Sequence, residues 1–250
     1  MSPIRSSVAA GSSHALGDAR FAKAVTEVTA QRKEQRWTTS ITTPGTNVTL
    51  NQTPVAGNLL VIMVSSNNAL ASPTITYGGT TATQITGNLT TGICGYLFYI
   101  ALTSGNIASG GTTLNVIWSA GTVAAASITE VSGVYAASPV DTSVSYIGSW
   151  NSSSSAQVLG GGDACHTTLG AYGIGFVTLV GAQTNGGVLN STDMAGNGGL
   201  WGSYTAAADI VAFAWQSGQH FTYRGALNYV LSGATARNGV SCWVSFRPAA

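Results

Sequence analysis

From Trp37 onward, apolar residues either alternate with polar ones or gather in short runs, and Gly, Pro, Asn and Ser interrupt them at the spacing of strands joined by turns. The pattern predicts strands over residues 37–42, 47–51, 58–65, 73–77, 82–86, 93–102, 112–118, 122–132, 141–147, 154–159, 169–180, 208–216, 225–231 and 239–246. About a dozen strands and no second helix predict an all-β chain, built as a sandwich or a barrel. In Asp209–Gln216 the residues Val211, Phe213 and Trp215 share one face, and in Val240–Arg247 the residues Val240, Cys242, Val244 and Phe246 stand against Ser241, Trp243 and Ser245. Both read as half-buried strands. Leu59–Val64 and Tyr96–Leu102 are apolar on both faces and need cover on two sides. The expectation is that a neighbouring subunit supplies the outer cover.

Before Trp37 the period changes. The chain is polar to about Gly17, and Asp18 can then cap a helix of about 17 residues whose apolar positions Phe21, Val25 and Val28 fall at i, i+4 and i+7. So narrow a stripe makes the helix marginal by itself. It needs a docking surface: its own β domain, a sister subunit or another protein. Arg20, Lys23, Arg32, Lys33 and Arg36 are only partly offset by Glu27 and Glu34, and the following 187 residues, Trp37 to Tyr223, hold no Lys or Arg. Residues 1–36 therefore read as a basic arm and residues 37–250 as the β domain, with an internal division near 150.

Composition sharpens this picture. Of 250 residues, 44% are hydrophobic and 7% charged, with 32 Gly and a formal net charge of +1; average soluble chains carry about 25% charged residues. The surface must be built from Ser, Thr, Asn, Gln and Gly, without the charge that keeps free monomers apart. Such a surface suits close lateral assembly. MSPIRSSVAAGSSHALGDAR lacks the apolar stretch of about 7–15 residues of a signal peptide, and the longest apolar run, Leu59–Val64, is too short to cross a bilayer. No membrane partner is expected, and synthesis is expected in a reducing cytoplasm. Cys94, Cys165 and Cys242 form neither a disulfide framework nor a zinc pattern. The sequons at Asn88 and Asn190 follow from the abundance of Asn, Ser and Thr.

No reaction is disclosed. The acids Glu130, Asp141, Asp163, Asp193 and Asp209 and the histidines His14, His166 and His220 show no spacing that selects a site, and no nucleophile elbow, phosphate loop, dinucleotide fingerprint or zinc helix occurs. Cys165 and His166 are neighbours, which on a strand point to opposite faces. No catalytic residue, metal or cofactor is expected. The stretch NSTDMAGNGGLWGSY, Asn190 to Tyr204, offers oxygen ligands at Asn190, Asp193 and Asn197, but one carboxylate is meagre for calcium. It reads as a polar connecting loop. Trp201 and Tyr204, and Trp150 in GSWNSSSS, are candidates for stacking on a sugar ring, against the commoner role of pinning a loop to its own sheet. The arm has no basic surface behind it, which disfavours nucleic acid.

PVAGNLLVIMVSSNN, PTITYGGTTATQI, GYLFYIALTSG and ASITEVSGVYAASPVDTS follow one another as in a loosely defined group of phage and prophage virion proteins and bacterial surface proteins, which the chain resembles over residues 54–143. The resemblance implies a jelly-roll-like antiparallel β-sandwich, here with a short helical N-terminal arm. It assigns no chemistry to Glu130 or Asp141, leaving a strand-end hydrogen-bond acceptor at Glu130 and a turn cap at Asp141. The expected protein is a non-enzymatic virion component made in the host cytoplasm, a capsid decoration or cement protein. Its partners are further copies of itself, as a homotrimer, and the major capsid protein or another virion protein. The arm residues Arg20, Phe21, Lys23, Val25, Val28, Arg32, Lys33 and Arg36 would make the partner contact. The alternative is a receptor- or glycan-binding module of a tail or head fibre, acting through Trp150, Trp201 and Tyr204.

Overall fold

The computed structural model describes residues 29–31, 40–41, 45–66, 71–90, 92–118, 122–150, 157–159, 172–180, 188–189, 198–206, 210–217, 227–230 and 237–249. In chain order the strands are β1 (Thr29–Gln31), β2 (Ser40–Ile41), β3 (Thr46–Thr49), β4 (Leu59–Ser66), β5 (Thr74–Tyr77), β6 (Thr80–Thr81), β7 (Thr83–Thr90) and β8 (Ile93–Ala101). After the helix α1 (Ser104–Gly110) come β9 (Thr113–Ile117), β10 (Thr122–Ser132), β11 (Val140–Trp150), β12 (Gln157–Leu159), β13 (Tyr172–Val180) and β14 (Val188–Leu189). The last are β15 (Gly198–Ala206), β16 (Ile210–Ser217), β17 (Leu227–Val230) and β18 (Arg237–Phe246). The described fold is thus all-β, and its strand pairings are antiparallel.

The central sheet runs β1-β10-β4-β8-β7, with β2 also on β10. A second sheet runs β3-β9-β5-β6, a third β11-β18-β13-β16-β15, and a small one β12-β17-β14. In β4, LLVIMVSS, every residue is buried. Its branched and unbranched aliphatics suit a pleated strand, and alternation sends them to two different cores. Leu60, Ile62 and Val64, with Cys94, Tyr96, Phe98 and Ile100 of β8, pack against Val48, Ile75, Tyr77, Leu114 and Val116 of the second sheet. Leu59, Val61 and Met63, with Ile93 and Leu97, pack against Val240, Cys242, Val244 and Phe246 of β18.

That second core corrects the expectation drawn from two-faced apolar strands. The outer cover of β4 comes from β18 of the same chain, so these strands give no reason to invoke a subunit interface. The alternation in Val240–Phe246 showed a buried face but not its distant partner.

Several elements depart from the sequence reading, the short strands β6 and β14 among them, and three bear on the predicted organisation. Helix α1 exists where no second helix was expected: Thr103 Oγ1 accepts from Asn106 N at 3.2 Å, and Asn106 Oδ1 accepts from Thr103 N at 2.9 Å, the reciprocal capping that starts a helix. Asn106 Nδ2 also donates to Ala101 O at 3.1 Å. The helix lies against the Gly78-Gly79 turn between β5 and β6, where a Cβ on Gly78 would collide with the Asn106 carbonyl. Thr29–Gln31, inside the predicted arm helix, is instead a strand opposite Ser132–Glu130. Pairing with the edge of β10 takes these three residues out of the predicted helix, while its stripe residues Phe21, Val25 and Val28 lie outside the described residues. Finally, Gly198–Ala206 is strand β15 rather than part of a loop, paired with β16.

Candidate functional site

Of the charged residues, Glu130, Asp141 and Arg247 have described side chains. Glu130 lies near the end of β10, on the face shared by Ala126 and Ile128, and is fully buried. Its Oε1 accepts a hydrogen bond from Val55 N at 3.0 Å and another from Asn58 Nδ2. The carboxylate therefore fastens the turn before β4, where Gly57 takes φ 90°, a conformation glycine adopts readily. Gly57 N donates to Leu102 O at 2.8 Å and Leu102 N to Asn58 O at 2.9 Å, closing the turn onto the end of β8. Glu130 Oε2 is buried without a hydrogen-bond partner.

Tyr77 belongs to the same core. Its hydroxyl donates to Gly111 O at 2.7 Å, just past α1. Its phenol is raised above the usual value, first by burial and then by the negative charge of Glu130. A sealed carboxylate that already accepts from two donors in its own turn offers a substrate no approach. Among the described residues no group of three His, Cys, Asp or Glu is placed to hold a metal ion. Glu130 acts as the strand-end acceptor expected from sequence, and its partner Asn58 was missed. The available signal was a lone acid in the apolar strand ITEV, because a buried charge must find donors.

A second polar cluster ties the connection between β10 and β11 to the end of β18. Arg247 Nε lies 3.5 Å from Asp141 Oδ1, and Arg247 Nη1 donates to Ser138 Oγ at 2.9 Å. The Asp141 side chain is 1% exposed and that of Arg247 38%. Around them, Arg247 N donates to Pro139 O at 2.8 Å, Tyr135 N to Arg247 O at 3.0 Å and Ala249 N to Gly133 O at 2.7 Å. Residues 133–139, which lead from β10 to β11, are thereby clamped by residues 247–249.

The arm candidates Arg20, Phe21, Lys23, Val25, Val28, Arg32, Lys33 and Arg36 lie outside the described residues. For the aromatic candidates the backbone register is informative. Trp150 ends β11, opposite Arg237. Trp201 and Tyr204 are on β15, Trp201 at the irregularity between Leu200 and Gly202, and Tyr204 opposite Ala212. β11 and β15 are the two opposite edges of one sheet, four strand spacings or about 19 Å apart. Trp150 is not brought together with the other two.

Cys94 and Cys242 are buried thiols outside any disulfide, and burial pushes the Cys242 thiol up. No described helix is long and apolar enough to cross a membrane. Compared with family models, curated proteins and solved structures, the chain matches none.

Proposed function

We propose that this chain is a non-enzymatic structural protein of a phage virion, a capsid decoration or cement protein with a jelly-roll-like sandwich, attached through residues 1–36. The observation that carries the reading is the use of charge. Glu130 is consumed by its turn, and Asp141 and Arg247 by the clamp beside β18. With 7% charged residues in the chain and no Lys or Arg from Trp37 to Tyr223, the β layers can pack side by side without repulsion. Attraction to a lattice is assigned to Arg20, Lys23, Arg32, Lys33 and Arg36, the cations concentrated before Trp37. A homotrimer fits this reading through the low-charge surface alone, since β18 already covers β4.

The alternative, a receptor- or glycan-binding module of a fibre, draws on one feature. Trp201 sits at an irregularity in an edge strand, and bulges at sheet edges re-aim side chains. Such a site would use Trp201 and Tyr204 without Trp150.

Brief trypsin digestion tests the proposal, because no cleavage site lies between Arg36 and Arg224. The intact chain should bind purified particles all over the shell and weaken in high salt. A fragment cut within residues 1–36 but intact at Arg224, Arg237 and Arg247, and so keeping β17 and β18, should keep its β signature and lose that binding. Undiminished binding by the fragment, or labelling confined to one vertex, overturns the decoration reading.

A further inference from the structure

We propose that Tyr135, Ser138 and Arg247 form a binding site for a neutral sugar ring. The connection between β10 and β11 and the tail after β18 run antiparallel where they meet, with Val134 directly opposite Pro248. Hydrogen bonds flank that pair, from Tyr135 N to Arg247 O at 3.0 Å and from Ala249 N to Gly133 O at 2.7 Å, so Tyr135 stands across from Arg247. Side chains of facing residues emerge on one side, about 5 Å apart at Cβ. Val134 and Pro248 turn to the other side and are buried, Val134 in the core that holds Phe246. Tyr135 and Arg247 accordingly face outward. Tyr135 is 44% exposed and the Arg247 side chain 38%.

Both are held in place before any ligand arrives. Ser138 N donates to Tyr135 O at 3.2 Å, closing a turn, and Arg247 N donates to Pro139 O at 2.8 Å. The guanidinium is fixed by Asp141 Oδ1, 3.5 Å from Nε, and by Ser138 Oγ, 2.9 Å from Nη1. Such preorganisation spares the cost of ordering a mobile side chain. With Nε and Nη1 engaged, the Nη2 donors are left for a ligand oxygen, and Ser138 Oγ, which accepts from Arg247, keeps its own hydroxyl hydrogen to donate.

These features select the ligand class. The Tyr135 ring offers a flat face of negative quadrupole, which suits the polarised C–H groups on one side of a pyranose. Beside it stand donors from Arg247 and Ser138, which suit hydroxyl oxygens. The charge of Arg247 is already answered by the buried carboxylate of Asp141, so an anion gains little here. A protein partner would need about 800 Å² on this side, far more than one turn presents. The site is also separate from Trp150, since β11 runs from Val140 to Trp150, about 33 Å away. It needs neither Trp201 nor attachment to a shell.

Binding of the full chain to an array of neutral oligosaccharides, with sialylated and sulfated ones beside them, tests this. No particle takes part, so the result stands apart from the attachment test. Neutral glycans should bind, with affinity unchanged from about 50 to about 500 mM salt. Tyr135→Phe keeps the ring and should hold the affinity within about threefold, whereas Tyr135→Leu, which removes the flat face, should lose about tenfold or more. Arg247→Lys keeps the charge but loses the planar fork and should lose about as much. Leu89→Ser, at an equally exposed residue toward the other end of the central sheet, should change nothing. If Tyr135→Leu or Arg247→Lys melts below the wild type, Ser138→Ala, on an exposed residue, decides, with about a fivefold loss expected. Failure of every neutral glycan to bind, binding that survives these variants, or binding confined to the acidic glycans and weakened by salt overturns the proposal.

Discussion

Replacing Glu130 with alanine removes the acceptor of two donors at once. The Asn58 amide is buried and the Val55 amide partly so, and each donor left without a partner costs about 1–3 kcal/mol. One effect opposes this. Glu130 Oε2 is buried without a hydrogen bond, so removing the carboxylate also recovers part of its desolvation cost, up to a few kcal/mol. The donors outweigh it because they lie in the turn that sets the start of β4, and the expected net loss is about 2–4 kcal/mol. Glutamine keeps an oxygen where Oε1 stands and removes the buried charge, so Glu130→Gln should fall within about 1 kcal/mol of the wild type. Urea unfolding followed by tryptophan fluorescence measures both. With a slope near 3 kcal/mol/M, the midpoint should drop by about 1 M for alanine and by less than about 0.3 M for glutamine. An alanine variant with an unchanged midpoint, or a glutamine variant as damaged as alanine, refutes the idea that Oε1 holds the turn.

Gly78→Ala places a Cβ against the Asn106 carbonyl at φ 53° and should cost about 2–4 kcal/mol, whereas Gly79→Ala, with open space around it, should lose only the left-handed backbone penalty of about 1–2 kcal/mol; thermal melts rank the two. Burial first, then the negative charge of Cys94 and Cys242 when ionised, pushes the Tyr96 phenol up to about 12, so the stabilisation it provides is complete below pH 10, the unfolded value, and is lost as pH rises from there through 12. An ultraviolet titration of the 9 tyrosines should leave a fraction un-ionised well past pH 10, and a single step for all of them there would contradict the assignment. Cys94 and Cys242 should stay unmodified by a thiol reagent until denaturant is added, and reductant should not shift the melting temperature; a loss of about 2–5 kcal/mol on reduction, the size of a native disulfide, would show that they are bridged.

The strands were legible where one periodicity ruled. β10 spans Thr122–Ser132, the predicted range, and β4 is displaced by a single residue, because runs of Val, Ile and Leu between turn residues have few alternatives. Elements whose evidence lay outside such runs were not legible. α1, SGNIASG, has Ile107 as its sole large apolar residue and reads as a turn. Its signal was the Thr103–Asn106 spacing, which is shorter than a hydrophobic period. β15, rich in glycine, reads as a loop until β16 pairs with it. The same limit hid the candidate site: ITEV announces a buried acid, but only the fold brings Val55 and Asn58 to it across more than 70 residues.

The cover that β18 lays over β4 also sets a clock. Leu97 and Val240 share a core yet are made about 140 residues apart, and at about 5–20 residues per second synthesis takes about 7–30 s to pass from one to the other. Through that interval Leu59, Val61, Met63, Ile93 and Leu97 have no β18 to cover them, so this layer cannot close while the chain is being extended through β11 to β17. A nascent chain in that condition is a substrate for holding chaperones. Translation halted before Val240 would leave a chain whose most apolar sheet is half-dressed, destined for degradation or inclusion bodies rather than for a shorter working protein.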